Sequence, residues 1–350
     1  MTLPVSKILA NCSIVIIITF LGVTNITYGQ KTQSTAILEL SVDNDIAFLI
    51  ERYYSSGITL NFYSQHIKKS PITKILLPNR KNDINYYSMS ITHRMYTPER
   101  TLTPEIQYTD HPYATYLLIG TKKISFSPEK RIKQTSAFDV GVIGSLAGGE
   151  AFQNGIHKNI SIAQTSEGWH NQVQNDICIQ YSAIIEKGLI NLSNLEFNGF
   201  VGASIGVPHT EAQLGGYIRL GVFNDYFRGI GIDLSPDLHA WIFCSGSINL
   251  VNYNATLQGG TINQDNVHTI NPINNTLLHG RFGGVVEYRR LSIEYGMEVI
   301  GFNAGYSGLI NNDYNVLKES QLSGILTLGG TILGTSREKP FKLVKKNGKT

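Results

Sequence analysis

The chain has 350 residues, a charged fraction of only 16% and a formal net charge of +3. It carries no basic patch with interleaved aromatics, which excludes nucleic acid as a partner. Its 34 glycines and 18 tyrosines, with abundant Asn, Ser and Thr, suit alternating strands better than helices. The length is ordinary for one large β-barrel, and no second domain is evident.

Met1 to Gly29 reads as a secretory signal peptide. Lys7 supplies the positive start, SIVIIITFLGV (Ser13 to Val23) the apolar run, and Tyr28-Gly29-Gln30 the cleavage region. The apolar run is too short to cross a bilayer as a helix, which needs about 20 residues. Cys12 precedes it and is not placed as a lipoprotein cysteine. Cys178 and Cys244 stand far apart and carry no disulfide-framework or metal signature.

Beyond the leader, alternating segments of roughly ten residues are separated by turn-rich gaps, the pattern of an all-β, antiparallel outer-membrane barrel. Strands are predicted at 36–45, 54–65, 85–96, 113–124, 131–144, 175–187, 193–207, 212–223, 236–250, 279–289, 292–303 and 321–333, about twelve in all. Arg289-Arg290 marks a tight turn. In AFDVGVIG, Phe138, Val140 and Val142 are expected to face lipid, with Asp139 and Gly141 inside. In YYSMSITHRMY, the row Ser88, Ser90, Thr92, Arg94 and Tyr96 belongs in a watery lumen, since a cation against lipid is costly. A soluble two-sheet sandwich also alternates, but the leader, the tyrosines near strand ends and the wide polar faces favour the barrel, spanning 30–335. Residues 336–350 read as a basic tail, and a single-chain barrel needs no partner subunit.

If the first strand rises from the periplasm, the unusual polar stretches of the first half converge on one rim. These are Asn44-Asp45, Ser55, Tyr96-Thr97-Pro98, Asp110-His111-Pro112 and the loop 145–174. The Asn-, Gly- and Thr-rich segment 249–275 is a further candidate external loop. In the first hairpin, Leu38, Leu40 and Val42 share one face, while Asp43 and Asp45 share the other. Ser55 is predicted on the polar face with Gly57 and Thr59. His157 can take a proton at neutral pH; His170, His93 and His111 compete for that role. Asp45 is a hard oxygen ligand suited to calcium, Asn44 an amide that can polarise a carbonyl, and Ser55 a nucleophile or oxyanion donor. Taken alone, NDI and YYSSG are also ordinary turns.

The ordered set SVDND…YYSSGITL, YTPE (Tyr96 to Glu99), DHPYA (Asp110 to Ala114) and DVGVIGSLAGGEAFQNGIHK…GWHNQ resembles the outer-membrane lipid A 3′-O-deacylase family across Leu38 to Gln172. The loop motif ending at His157 is its most specific part. In the second half, the likeness lies in strand rhythm and TLQGG (Thr256 to Gly260). The resemblance implies a twelve-stranded barrel whose rim site hydrolyses the 3′-linked acyl ester of lipid A, within lipopolysaccharide, with calcium. It implies His157 as base, Asn44 and Ser55 as oxyanion donors, and Asp45 as metal ligand. Three positions depart from the family pattern. Arg100 is the nearest counterpart of a family lysine, and Tyr53 stands where an acidic residue is common. Ala163-Gln164 occupies the place of an acidic partner for the histidine, with Glu167 the nearest carboxylate. A phospholipase A-type serine hydrolase and a non-enzymatic porin-like barrel are the competing readings.

Overall fold

The structure is a computed structural model that describes residues 9–20, 36–44, 53–78, 83–159, 164–230, 237–289 and 291–301. Twelve strands form one closed antiparallel barrel. They are β1 (Leu9–Phe20), β2 (Ala36–Asn44), β3 (Tyr53–Ser64), β4 (Ile84–Thr97), β5 (Ala114–Ser127) and β6 (Ile132–Ile143), followed by β7 (Asp176–Asn191), β8 (Leu195–Gly206), β9 (His209–Val222), β10 (Leu238–Asn254), β11 (Thr276–Tyr288) and β12 (Leu291–Gly301). Each strand pairs with its sequence neighbours, and β1 closes the ring against β12. Two short helices, α1 (Gly149–Asn159) and α2 (Ala255–Gln258), lie in loops of the same rim.

The strands from 36 to 301 fall where the alternation places them, and Arg289, at φ 54°, makes the tight turn between β11 and β12. The amino-terminal segment does not. Leu9–Phe20, expected inside a cleaved leader, is a strand whose Cys12 pairs with Asn44 and whose Phe20 pairs with Ala36. Its physical reason is composition. Ile14, Val15, Ile16, Ile17 and Ile18 are β-branched residues, and a β-branched apolar run suits a strand as well as a leader. The strand expected at 321–333 and the tail 336–350 lie outside the described residues.

Side-chain alternation divides the wall into two chemistries. Met89 and Ile91 on β4, Ile119 on β5, Val140 on β6 and Ile177 and Ile179 on β7 are exposed on the outside. Ser88 and Ser90, which alternate with Met89 and Ile91 along β4, are buried toward the lumen. An exposed apolar band around a closed sheet is the exterior of a membrane barrel. A lipid core offers no partner to a free N–H or C=O, so closure is what makes such a wall tolerable.

The lumen is filled with charges that satisfy one another. Arg219 donates from Nε to Glu196 at 2.9 Å, its Nη2 lies 2.8 Å from the same carboxylate, and Arg131 stands 3.6 Å away. The Arg219 guanidinium also lies over Phe223, 4.0 Å from the ring centroid. The loop after β9 enters this space: Tyr226 donates to Glu186 at 2.6 Å, and Lys133 pairs with Glu186 at 2.8 Å. What remains is a cavity of about 690 Å³ whose lining includes Glu39, Lys122, Arg281 and Glu294.

Glu196 is only 1% exposed, so removing its charge leaves Arg219 buried without its counter-charge. Loss of one member of a buried pair costs about 3–5 kcal/mol. Glu196→Gln is expected to lower barrel stability by that amount in urea unfolding from lipid vesicles. An unchanged unfolding midpoint would show that the pair does not hold the lumen.

Candidate active site on the outer wall

The site forms where the lipid-facing row of β4 runs out of lipid. Along β4 the outward residues are Met89 and Ile91, both exposed, then His93, Met95 and Thr97; the last two are buried. Helix α1 and the chain returning from it cover this upper part. Phe152 of α1 packs on a cluster of Met95, Tyr113 and Trp169, and the His93 ring lies 5.2 Å from that of Phe152. His93 Nε2 is 3.2 Å from the Ala147 carbonyl.

Two left-handed glycines set the direction of α1. Gly144 (φ 98°) ends β6, and Gly148 (φ 77°) leads into the helix. Gly149 then passes so close to the wall that a Cβ would stand 1.9 Å from Thr115 Oγ1. A side chain at 149 would push the helix off the strand.

Three helix residues strap down the returning chain. Gln153 accepts from the Trp169 indole N–H at 2.7 Å. Asn154 accepts from the Ser166 amide at 2.8 Å and donates to the Ser166 carbonyl at 3.2 Å. His157 Nδ1 lies 2.6 Å from the Gln164 carbonyl oxygen. Gln153 and His157 are four residues apart, one above the other on one helix face. A carbonyl oxygen only accepts, so Nδ1 carries the proton and the neutral ring has its lone pair on Nε2. The ring is buried, at 6% exposure.

On the neighbouring strand a bulge changes the expected geometry. In the β3–β4 ladder, Tyr54 pairs with Tyr96 and Ser56 with Met95, so Ser55 is the extra residue. Tyr54 takes the lumen side, its hydroxyl donating to Asp43 at 3.2 Å, with Arg94 3.7 Å from the same carboxylate. Ser55 therefore does not share the polar face with Gly57 and Thr59, as strict alternation predicts. Its Oγ is 2.5 Å from Thr97 Oγ1, on the outward row of β4 that α1 covers. Both hydroxyls are buried.

Asn44 ends β2 with its backbone paired to Ser56, next to Ser55. Its side chain, and Asp45 as a whole, lie outside the described residues. Among the described residues no group of three or more His, Cys, Asp or Glu is placed to hold a metal. Asp43 is already engaged with Tyr54 and Arg94. The donors described at this end of β3 and β4 are hydroxyl oxygens, which suit a hard cation such as calcium once a carboxylate joins them.

The rival histidines have other attachments. His111 stacks on Tyr96 with ring centroids 5.2 Å apart, and its Nδ1 is 2.6 Å from the Pro112 carbonyl. Burial pushes its pKa down to about 4, so it stays neutral through the physiological range. His170 is exposed, 3.2 Å from the Glu167 carbonyl. Arg100 is held within its own loop by the Gln107 side chain, 3.3 Å from its Nε. Thr97 and the Gln164 carbonyl are site features that the sequence reading misses. Neither has a local signal, because one depends on a bulge and the other on a backbone atom.

The model of the family described as outer membrane protein LpxR matches residues 14–301. The chain belongs to the LpxR family of outer membrane proteins. LpxR from Salmonella typhimurium shares the fold, with a TM-score of 0.56 and 19% identity over 83% of this chain and 98% of that one. A second family, phosphofructokinase, matches residues 284–350 and overlaps the first over β12. The chain is 58% identical over 48 residues to ATP-dependent 6-phosphofructokinase 3 of Bacteroides thetaiotaomicron, covering 14% of each protein. It is 62% identical over 48 residues to the ATP-dependent 6-phosphofructokinase of Spirochaeta thermophila, covering 14% of this chain and 13% of that enzyme. The chain thus spans about one seventh of the curated relatives it matches. The LpxR match, not this one, contains every residue of the candidate site.

Asn154→Ala removes both bonds to the Ser166 backbone while leaving His157 in place. Amide exchange across 149–159 is then expected to quicken by about tenfold or more, since two hydrogen bonds contribute on the order of 1 kcal/mol each. Exchange at the wild-type rate would mean that the strap does not hold the helix.

Proposed function

We propose that this protein hydrolyses the 3′-linked acyl ester of lipid A in the outer membrane, with His157 as general base. The observation that carries this reading is the His157–Gln164 bond. It sets the imidazole tautomer on a helix whose Phe152 packs against Met95, in the outward row of β4 that continues into exposed Met89 and Ile91. A lipid substrate lying against that wall presents its ester at the height of α1. A water-soluble substrate has no reason to be met there.

In this reading His157 Nε2 takes a proton from water, and the resulting hydroxide attacks the ester carbonyl. Ser55 and Asn44 donate to the oxygen that becomes negative in the tetrahedral intermediate. The intermediate collapses by breaking the bond to the sugar oxygen. The imidazolium returns its proton to that oxygen, and the fatty acid leaves as the acid, which loses its own proton to water. Asp45, with Asn44, would hold the calcium that the family resemblance implies, which when bound polarises the ester carbonyl. In place of the missing acidic partner, the Gln164 carbonyl orients the imidazole and accepts its Nδ1 proton.

Two features weigh against the competing readings. Ser55 Oγ is bonded to Thr97, which suits a fixed donor better than a nucleophile that must give up its proton to histidine. The lumen wall carries the Arg219–Glu196 and Lys133–Glu186 pairs between neighbouring strands, and Tyr226 from the loop after β9 occupies the space beside them, an arrangement unlike an open pore.

Mass spectrometry of lipid A from cells expressing the protein is expected to show loss of the 3′-linked acyl group, and no loss with His157→Ala. Ser55→Ala is expected to retain residual activity, reduced by about 10²–10³-fold, as for a lost oxyanion donor. Unchanged lipid A with folded protein in the outer membrane would overturn the proposal. Complete loss with Ser55→Ala would make that serine the nucleophile.

A further inference from the structure

At the rim opposite α1, the connection between β3 and β4 is long and unusual. Residues 65–69 and 71–74 form two 3-10 turns. The stretch 65–78 carries Lys68, Lys69 and Lys74 and no carboxylate. All three lysines are exposed, and so are Ile72 and Ile75, at 38% and 52%. Ile72 and Ile75 are one 3-10 turn apart and lie along the same side of that turn.

This segment does not hang from the barrel mouth; it folds back onto the outer wall. Leu77 donates its amide to Ser136 Oγ at 3.0 Å and accepts from Lys123 Nζ at 2.6 Å. Lys123 and Ser136 are paired on β5 and β6 and, by alternation, share the outward side with Ile119 and Val140. The Gln65 side chain donates to the Asn85 carbonyl at 2.8 Å, and Ser127 donates to Asp83 at 2.7 Å. Below the apolar band, the outside of β4–β6 thus turns polar, with Asn85, Lys123, Ser125 and Ser127. The segment covers it, leaving lysines and isoleucines as the new outer surface. That surface sits at the level where an apolar band meets headgroups. Isoleucines among unopposed lysines suit a layer that is apolar on one side and anionic on the other.

We propose that residues 65–78 form a lipid-headgroup site that seats the barrel on anionic glycerophospholipids of the leaflet opposite the catalytic rim. Lys68, Lys69 and Lys74 meet the phosphates, while Ile72 and Ile75 enter the acyl boundary. The occupant is an anionic phospholipid rather than a protein, because the segment's charge is uniformly positive and its place on the wall is level with the bilayer edge. This site is independent of the hydrolytic reading and rests on the barrel alone.

Native mass spectrometry of the full chain, released from micelles containing equal phosphatidylglycerol and phosphatidylcholine, tests it. The wild type is expected to retain phosphatidylglycerol over phosphatidylcholine and to lose it as salt rises. The triple variant Lys68→Gln, Lys69→Gln, Lys74→Gln is expected to bind phosphatidylglycerol about a hundredfold more weakly, since each lysine near an anionic surface changes binding by about fivefold. Its folding is checked by the heat-dependent shift in electrophoretic mobility. Equal retention of the two lipids by the wild type, salt-insensitive retention, or undiminished phosphatidylglycerol on the folded variant would overturn the proposal. So would a dimer that the substitutions abolish, which would make a second copy the occupant.

Discussion

Every backbone N–H and C=O of a lipid-immersed sheet must be paired within the sheet, and this constraint shapes the rest of the molecule. It requires a closed ring of strands, and closure leaves side-chain alternation as the main variable. Outward positions meet either lipid or something that covers them. On β4 both occur in one row: Met89 and Ile91 stay exposed, while Met95 and Thr97 are buried. The candidate site is the place where cover begins. Helix α1 is an insertion that converts a stretch of lipid-facing wall into an enclosed polar corner without interrupting a single strand pairing.

The corner is held by a chain of local decisions. Left-handed Gly144 and Gly148 turn the chain, and Gly149 lets the helix touch Thr115. Gln153, Asn154 and His157 then tie the return segment down. One consequence is chemical. The bond that anchors the segment at Gln164 also assigns the imidazole tautomer, so in the proposed reading the structural anchor and the orientation of the base are one interaction. A carbonyl in the place of a carboxylate preserves direction and gives up charge.

Much of this was legible in the sequence because barrels write their wall in a period of two. The polar row from Ser88 to Tyr96, Val140 opposite Asp139, and the turn at Arg289 could all be read directly. The loop motif that the sequence singles out at His157 folds as α1. Ser55 was misplaced because a bulge inserts one residue into β3, and a bulge has no side-chain signature of its own. The leader was expected to lie outside the barrel, yet Leu9–Phe20 pairs with β2 and β12, since an isoleucine-rich run has no preference between the two roles. At the other end, the strand expected from apolar alternation in 321–333 lies outside the described residues, in a stretch that the phosphofructokinase model also matches. Short alternating runs occur in barrels and in buried sheets of other folds alike. Periodicity cannot separate them without the neighbouring strand.

In the proposed reading the chemistry lies on the outer wall, between α1 and the upper ends of β3 and β4, and not in the lumen. A crystal structure of the His157→Ala protein with lipid A bound tests it most directly. Acyl chains are expected along the exposed row Met89–Ile91, with an ester carbonyl between position 157 and Ser55. Lipid A bound within the charged lumen, or on a wall remote from α1, would contradict it.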